Sequence, residues 1–393
     1  MSDFIQIHML ASYPPSNLNR DDLGRPKTAV MGGTQRLRIS SQSLKRAWRE
    51  SELFREVLIK NIGIRTKEMG VKIKEALISG ISLENLLSGQ TMPPAPAIIP
   101  ENEAKLWAFN IAAVFVDKAT KKDSKTEETV IEEDAESNGK KTKKKSSNID
   151  KETLKGEQLV FYSNNEISAI QDLIKMISNE RREPRKDELS KLLHQDITSV
   201  DIAMFGRMLA NAPKSNIEAA VQVSHAITVH KVAVEDDYFT AVDDLNKKED
   251  NAGAGHVGEA EFASGLFYNY ICINRILLEQ NLGGDKELAK KALKALVEAA
   301  AKVGPTGKQN SFASRAYASY IMAEKGTQQP RSLSVAFLKA LNGKDLLDES
   351  ISALKTTNKN IQTVYGKCSE SNCEMNAFAG TGSLEEILKF VTT

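Results

Sequence analysis

The alternation of apolar and polar positions is clearest at the start of the chain. In "FIQIHML", Phe4, Ile5, Ile7, Met9 and Leu10 are interrupted by Gln6 and His8, a pattern that predicts a strand. From about Pro14 to Arg36 the chain is rich in Pro, Gly, Asn and Asp and reads as a long exposed loop. A helical period follows in "SQSLKRAWRESELFREVLIKN", capped by Ser40 or Ser41, with Leu44, Ala47, Trp48, Ser51, Phe54 and Leu58 on one side. Helical pieces continue from residue 60 to 115, broken by "MPPAPAIIP", and again from about 165 to 209.

Strands return at "HAITVHKVAV" (225–234) and "GLFYNYICIN" (265–274), both dense in β-branched and aromatic residues. The polar, Gly-rich stretch between them predicts a long hairpin excursion. "DKELAKKALKALVEAAAKVGP" is a helix with Asp285 as cap, Leu288, Ala292, Ala295, Leu296, Ala299 and Val303 as its stripe, and Gly304 with Pro305 as its stop. A strand around "SFASRAYASYIMAE" and a helical tail "SLEEILKFV" complete the order. Strand, helix, helical insertion, strand, hairpin excursion, strand, helix, strand is the sequence of an α+β, split βαβ sandwich, the ferredoxin-like layout also used by RNA-recognition domains.

Composition changes this picture in three places. At 393 residues and 41% hydrophobic content the chain can bury one sizeable core or two smaller ones. Residues 118–152 shift to dense Lys, Glu, Ser and Thr with almost nothing to bury, and predict a disordered insertion. No apolar run suits a bilayer, "MSDFIQIHML" has no basic leader, and three cysteines close no disulfide framework, so the expectation is a cytoplasmic protein without membrane attachment.

The formal net charge is only +1, yet residues 18–50 carry eight Lys or Arg against three acids. Lys45 and Arg49 are four apart on one face of the predicted helix, with Arg46 beside them. Ser40, Ser41 and Gln42 stand at its start, where free N–H groups and hydroxyls suit phosphate oxygens, and Arg36 and Arg38 alternate on the approach. This reads as a phosphate track that holds a nucleic acid without reading its bases. The competing reading takes Asp21 and Asp22, beside Arg20, Arg25 and Lys27, as holders of Mg²⁺ or as a general base in a metal-dependent endoribonuclease. Tyr238, Phe239 and Thr240, at the start of the excursion, can stack on bases or pack against protein.

Three other patterns carry less. "GAGHVG" matches G-x-G-x-x-G at Gly253, Gly255 and Gly258, but a polar run precedes it and a strand pattern follows, the reverse of a dinucleotide site. Cys368 and Cys373 have no second pair to complete a zinc site, so no metal or other cofactor is expected. His8, His225 and His230 fall on predicted strands, where a hydrogen-bonded sheet histidine is the ordinary case.

"NLNRDD", "RLRISSQSLKRA", "DIAMFGRMLA", "VSHAITVHKV", "YFTAVDDL", "EFASGLFYNY", "GPTGKQNSFAS" and "QPRSLSVAF" are similar, in that order, to the motifs of CasC, the repeated backbone subunit of type I-E CRISPR Cascade complexes. The resemblance covers roughly residues 1–55 and 198–340. It implies a palm of RNA-recognition-like fold in three parts (1–55, 198–231 and 264–393), a helical finger insertion at 56–197, and a β-hairpin thumb at 232–263. It further implies a non-enzymatic role in antiviral defense, with copies of the chain lined along one crRNA, each thumb kinking the strand so that the exposed guide segments pair with target DNA. The other partners would be the large, small and crRNA-end-capping Cascade subunits. By the same carry-over Arg20, Lys27, Ser40, Gln42, Lys45, Arg46 and Arg49 would hold RNA in the palm. Met208, Phe239 and Thr240 would frame the displaced nucleotide, and Lys308 with Gln309 would belong to the same surface.

Overall fold

The computed structural model describes residues 3–89, 98–115, 154–156, 158–193, 198–209, 212–241 and 256–393. The charged tract at 118–152 and the tip of the hairpin excursion, with Gly253 and Gly255, lie outside them. The chain divides into two compact units, one of residues 1–60, 203–205 and 219–393 and one of residues 61–202 and 206–218.

The first unit is built on a long antiparallel sheet. β1 (Phe4–Ser16) is followed by the hairpin strands β2 (Thr28–Met31) and β3 (Thr34–Ile39), then by helices α1 (Ser41–Glu50) and α2 (Glu52–Leu58). The second unit contributes its own short pair, β4 (Ile64–Thr66) and β5 (Val160–Tyr162). Back in the first unit come β6 (Val221–Val223), β7 (Ala226–Thr228), β8 (Glu235–Ala241), β9 (His256–Asn274), β10 (Ala318–Gly326) and β11 (Ser371–Asn376).

The strands run in the order β11-β10-β1-β9-β7-β3-β2, with β6 and β8 also paired to β9. β10-β1-β9-β7 at its centre, with α1 after β1 and the helix Lys286–Lys302 between β9 and β10, is the split βαβ sandwich the sequence predicts. β9 is 19 residues long. Its second half is the core strand beside β1, while its first half runs on as a two-stranded ribbon with β8, in register from Glu235↔Phe262 to Ala241↔His256. The predicted excursion is therefore a continuation of the central sheet.

Both faces of β1 are buried. Ile5, Ile7 and Met9 point one way, toward the layer of α1, α2, Lys286–Lys302 and Leu384–Thr392. Gln6, His8 and Leu10 point the other way, where Leu10 joins Tyr268, Tyr320 and Met322 under Leu333, Phe337, Ile351 and Leu354. That second cover, a turn at Ser334–Phe337 and a 20-residue helix at Leu346–Tyr365, is absent from the sequence reading. It closes the sheet face that an RNA-recognition domain leaves open for base stacking.

Other differences are local. The stretch read as a loop from Pro14 to Arg36 contains the end of β1 and the β2–β3 hairpin, turned by Gly32 and Gly33 with φ of 58° and 74°. Two consecutive positive φ angles are what a two-residue hairpin turn demands, and glycine meets them without steric cost. The predicted long helix is broken at Ser51. Its extended backbone ends α1, its hydroxyl donates to the Trp48 carbonyl at 2.6 Å, and it accepts from the Phe54 N–H to cap α2. Within "SFASRAYASYIMAE" only Ala318 onward is strand, preceded by a helical turn at Gln309–Phe312.

The second unit has a separate core in which Ile73, Leu77, Trp107, Ile111, Phe115, Tyr162, Ile170, Ile174 and Ile177 are all buried. The longest of its described helices, Asn164–Glu180, begins in a capping box between Ser163 and Glu166. Glu166 also takes a buried ion pair from Arg207 at 2.6 Å, so one carboxylate orders both a helix start and a neighbouring loop.

Candidate nucleic-acid interface

The basic loop is ordered by its own side chains. The Asp21 carboxylate accepts the N–H groups of Leu23 at 3.0 Å and Arg25 at 2.9 Å. The Asn17 amide donates to the carbonyls of Gly24 and Glu261, both at 2.9 Å, and Arg25 pairs with Glu261 at 2.9 Å. The loop is thus pinned to β9 where the ribbon leaves the sheet. Asn19 reaches the other way, accepting the Ser40 N–H at 2.9 Å, which ties the loop to the start of α1. The aspartates are explained by this architecture: Asp21 spends an oxygen on turn geometry, and Asp22 is exposed. Among the described residues no three His, Cys, Asp or Glu side chains come together as a metal site.

Three cationic or imidazole side chains gather beside that loop. Arg36 and Arg38 share one face of β3 but have different fates. Arg36 is fully buried and donates to the carbonyls of Thr228 at 2.8 Å and Phe337 at 3.0 Å, so it braces the fold. Arg38, two residues on, emerges half-buried with Nη1 3.1 Å from His225 Nδ1. Its N–H donates to the Lys27 carbonyl at 2.8 Å, placing Lys27 next to it. The register Arg38↔Ile227 and Ile39↔Ala226 continues toward Ser40 and His225, setting this cluster at the N-terminus of α1. Partial burial and then the charges of Arg38 and Lys27 hold the His225 ring below its ordinary pKa.

On α1 the predicted residues divide by accessibility. Gln42 and Arg46 are exposed. Ser40 is buried and its hydroxyl caps the helix, accepting the Ser43 N–H at 3.3 Å. Lys45 is half-buried with Nζ 5.3 Å above the Phe205 ring, and burial draws its pKa below the usual lysine value. Arg49 keeps 14% of its side chain exposed and pairs with Glu50 at 2.7 Å. Arg20 is exposed at the mouth of the loop, bridged through its backbone to Pro26.

The loop before β10 joins the same region. A methyl at Gly307 would lie 2.3 Å from the Leu18 carbonyl oxygen, so that turn rests on the base of the basic loop. Lys308 follows in a left-handed conformation, φ 47°, which is uncommon for a side chain of its size. The Gln309 amide points inward, donating to the Pro305 carbonyl at 2.9 Å and Ser314 at 3.2 Å. Lys308 is half-buried, while Gln309 shapes the turn.

On the ribbon every residue of β8 is exposed. Tyr238 is 63% and Phe239 43% accessible, and the Phe239 ring lies over Gly258 on the paired strand. Strand alternation sends Phe239 and Thr240 to opposite faces of the ribbon. Met208 belongs to the second unit and is 80% exposed, beside the buried Arg207.

Arg38 belongs to the phosphate track expected from the sequence, whereas His225, expected to be an ordinary sheet histidine, stands exposed beside it. The signal for Arg38 was its period-two spacing from Arg36, which also predicts, wrongly, that Arg36 is available. The surface is open: the cleft between Lys27, Arg38 and Phe267 has a volume of about 10 Å³. A hollow of about 430 Å³ between the helix Leu346–Tyr365 and β11 lies elsewhere, lined by Lys355, Lys359, Gln362 and Glu374. An open cationic rim suits a chain of phosphates better than an enclosed small molecule.

A family model of CT1975-like proteins (Cas_CT1975) matches residues 5–387. The chain belongs to the CT1975-like protein family. Among solved structures, a chain of a "CRISPR RNA-guided surveillance complex, pre-nicking" superposes with a TM-score of 0.73 at 25% identity, over 99% of each chain. A chain of a further "CRISPR RNA-guided surveillance complex" has a TM-score of 0.54 at 23% identity, over 98% of this chain and 99% of that one, and supports the fold alone. No curated protein sequence matches. This member of the CT1975-like family is therefore similar, along nearly its whole length, to a component of an RNA-guided surveillance complex.

Proposed function

We propose that the protein is the non-catalytic, repeated backbone subunit of a type I-E CRISPR effector complex of the Cascade kind. Copies of it line one crRNA, hold its phosphates, and leave guide segments free to pair with target DNA. The large, small and crRNA-end-capping subunits are its remaining partners.

The observation that carries this reading is the cationic rim at the start of α1. Lys27, Arg38 and Arg20 meet solvent around the start of α1 and Arg46 meets it one turn along the helix, in a chain with almost no net charge. Similarity to a chain from an RNA-guided surveillance complex supports RNA as the polyanion. Lys45 and Lys308 extend the rim, and Gln42 adds a neutral donor. Ser40 and Gln309 contribute by holding backbone in place, and Arg49 stands on the same helix in a pair with Glu50. The β8–β9 ribbon is the thumb, with the Phe239 ring or the Tyr238 ring as its stacking surface, and Met208 is an exposed thioether available to a displaced base.

The test is to express the protein with its guide RNA and ask whether it purifies with nucleic acid of uniform length, then to measure binding of a single-stranded RNA across salt. Lys27→Ala and Arg46→Ala should each lower the slope of log K against log salt by about one unit. Unchanged slopes would end the rim assignment. Mg²⁺-dependent RNA cleavage that Asp22→Asn abolishes would instead favour the ribonuclease reading.

A further inference from the structure

The geometry points to His225 as a proton-linked phosphate contact: in the free protein it is clasped by Arg38, and on RNA binding it takes up a proton and both side chains turn to the same phosphodiester. This rests on the reading of the rim as an RNA-phosphate site.

A guanidinium can only donate, so the 3.1 Å approach of Arg38 Nη1 to His225 Nδ1 requires an unprotonated Nδ1 and places the ring proton on Nε2. The side chain is exposed. The charged groups that face the ring are Arg38, from β3, and Lys27, from the loop before β2. From β9 the neighbours of this turn are uncharged: the Tyr270 N–H donates to the Ser224 hydroxyl at 2.9 Å, and that hydroxyl donates to Asn269 Oδ1 at 3.3 Å. Partial burial and then two cations thus favour the neutral imidazole in this arrangement.

A phosphodiester entering between Lys27 and Arg38 reverses the sign of that field. The proton then gained at Nδ1 comes from solvent, ends the Arg38–His225 hydrogen bond, and frees the guanidinium for the phosphate oxygens. The new Nδ1–H bond forms at the cost of an O–H bond of a solvent or buffer acid, and the balance is one proton taken up per bound phosphate at this position. His8 and His230 are engaged by other partners. His8 is buried between Tyr268 and Glu324, and His230 donates from Nδ1 to the Lys231 carbonyl while its Nε2 accepts the Leu266 N–H.

The experiment is binding of a fluorescent oligouridylate by the full chain at fixed ionic strength from pH 5.5 to 8, for wild type and His225→Gln, which keeps a polar side chain of similar reach. The expected result is wild-type affinity that rises as pH falls, by up to about tenfold per pH unit near the midpoint for one linked proton, with a nearly flat profile for the variant. In parallel, the His225 ring resonance should titrate at higher pH with RNA bound than without. A flat wild-type profile, or an equal pH dependence in His225→Gln, overturns the proton link and leaves the RNA-holding role standing. Absence of RNA binding at every pH overturns both.

Discussion

At the residue scale, the same side-chain type does opposite work depending on what reaches it. Arg207 and Arg36 are cations in interior positions, each bonded to carbonyls or a carboxylate, whereas Arg46 is left to solvent. Arg207→Leu strands the Glu166 carboxylate inside the second unit and should cost about 3–5 kcal/mol, read as a lowered denaturant midpoint. Asp21 separates loop order from chemistry. Asp21→Asn retains an acceptor for Leu23 and Arg25 and should bind RNA as wild type does, while Asp21→Ala should weaken binding several-fold, within the range of about 1 kcal/mol expected for a lost turn bond.

His8 supplies a pH dependence of stability. Burial lowers its pKa below 6.5 despite the neighbouring Glu324. Burial would raise Glu324, but hydrogen bonds from His8 and Arg331 outweigh it and hold the carboxyl at about 2. Both groups therefore bind fewer protons folded than unfolded. Stability should be full above about pH 6.5 and should fall as His8 and then Glu324 are forced to protonate on acidification. Thermal denaturation between pH 7.5 and 5 checks this, and His8→Gln should remove the part of the slope nearest pH 6.

At the element scale, the β2–β3 hairpin was readable in outline, since "MGGT" between two apolar-bearing runs is a two-residue turn signal. What could not be read is how closely its tip approaches another element. A methyl on Gly32 would lie 1.7 Å from the Leu338 carbonyl oxygen, whereas one on Gly33 meets nothing within 4 Å. Both positions have positive φ, so Gly33→Ala should cost about 1–2 kcal/mol from backbone strain alone. Gly32→Ala should cost more, because the hairpin must also move off the Ser334–Phe337 turn. Comparing the two midpoints isolates the contact.

The helix Leu346–Tyr365 escaped the sequence reading for a related reason. Its stripe of Ile351 and Leu354 continues into Asn358, a polar residue at a core position. Asn358 is buried because its amide donates to Glu324 at 3.1 Å and its carbonyl accepts from Arg331, partners 34 and 27 residues away. Periodicity cannot rank a polar residue as interior when the group that satisfies it is on another element.

For the molecule as a whole, local pattern determined a great deal. The strand of residues 4–10, the caps at Ser40 and Asp285, the helix stopped before Gly304, and the order of elements that makes a split βαβ sandwich all follow from hydrogen-bond needs and side-chain periods that act within a few residues. The concentration of positive charge in residues 18–50 was equally plain. Only the tertiary structure decided which of those charges meet solvent, that the sheet is covered on both faces, and that Arg38, Lys27 and His225 share one spot. These outcomes depend on partners as far as 301 residues away, such as the Phe337 carbonyl that takes Arg36 out of the binding surface. Burial and field are properties of neighbours in space, and a chain read along its length carries them only where neighbours in space are also neighbours in sequence.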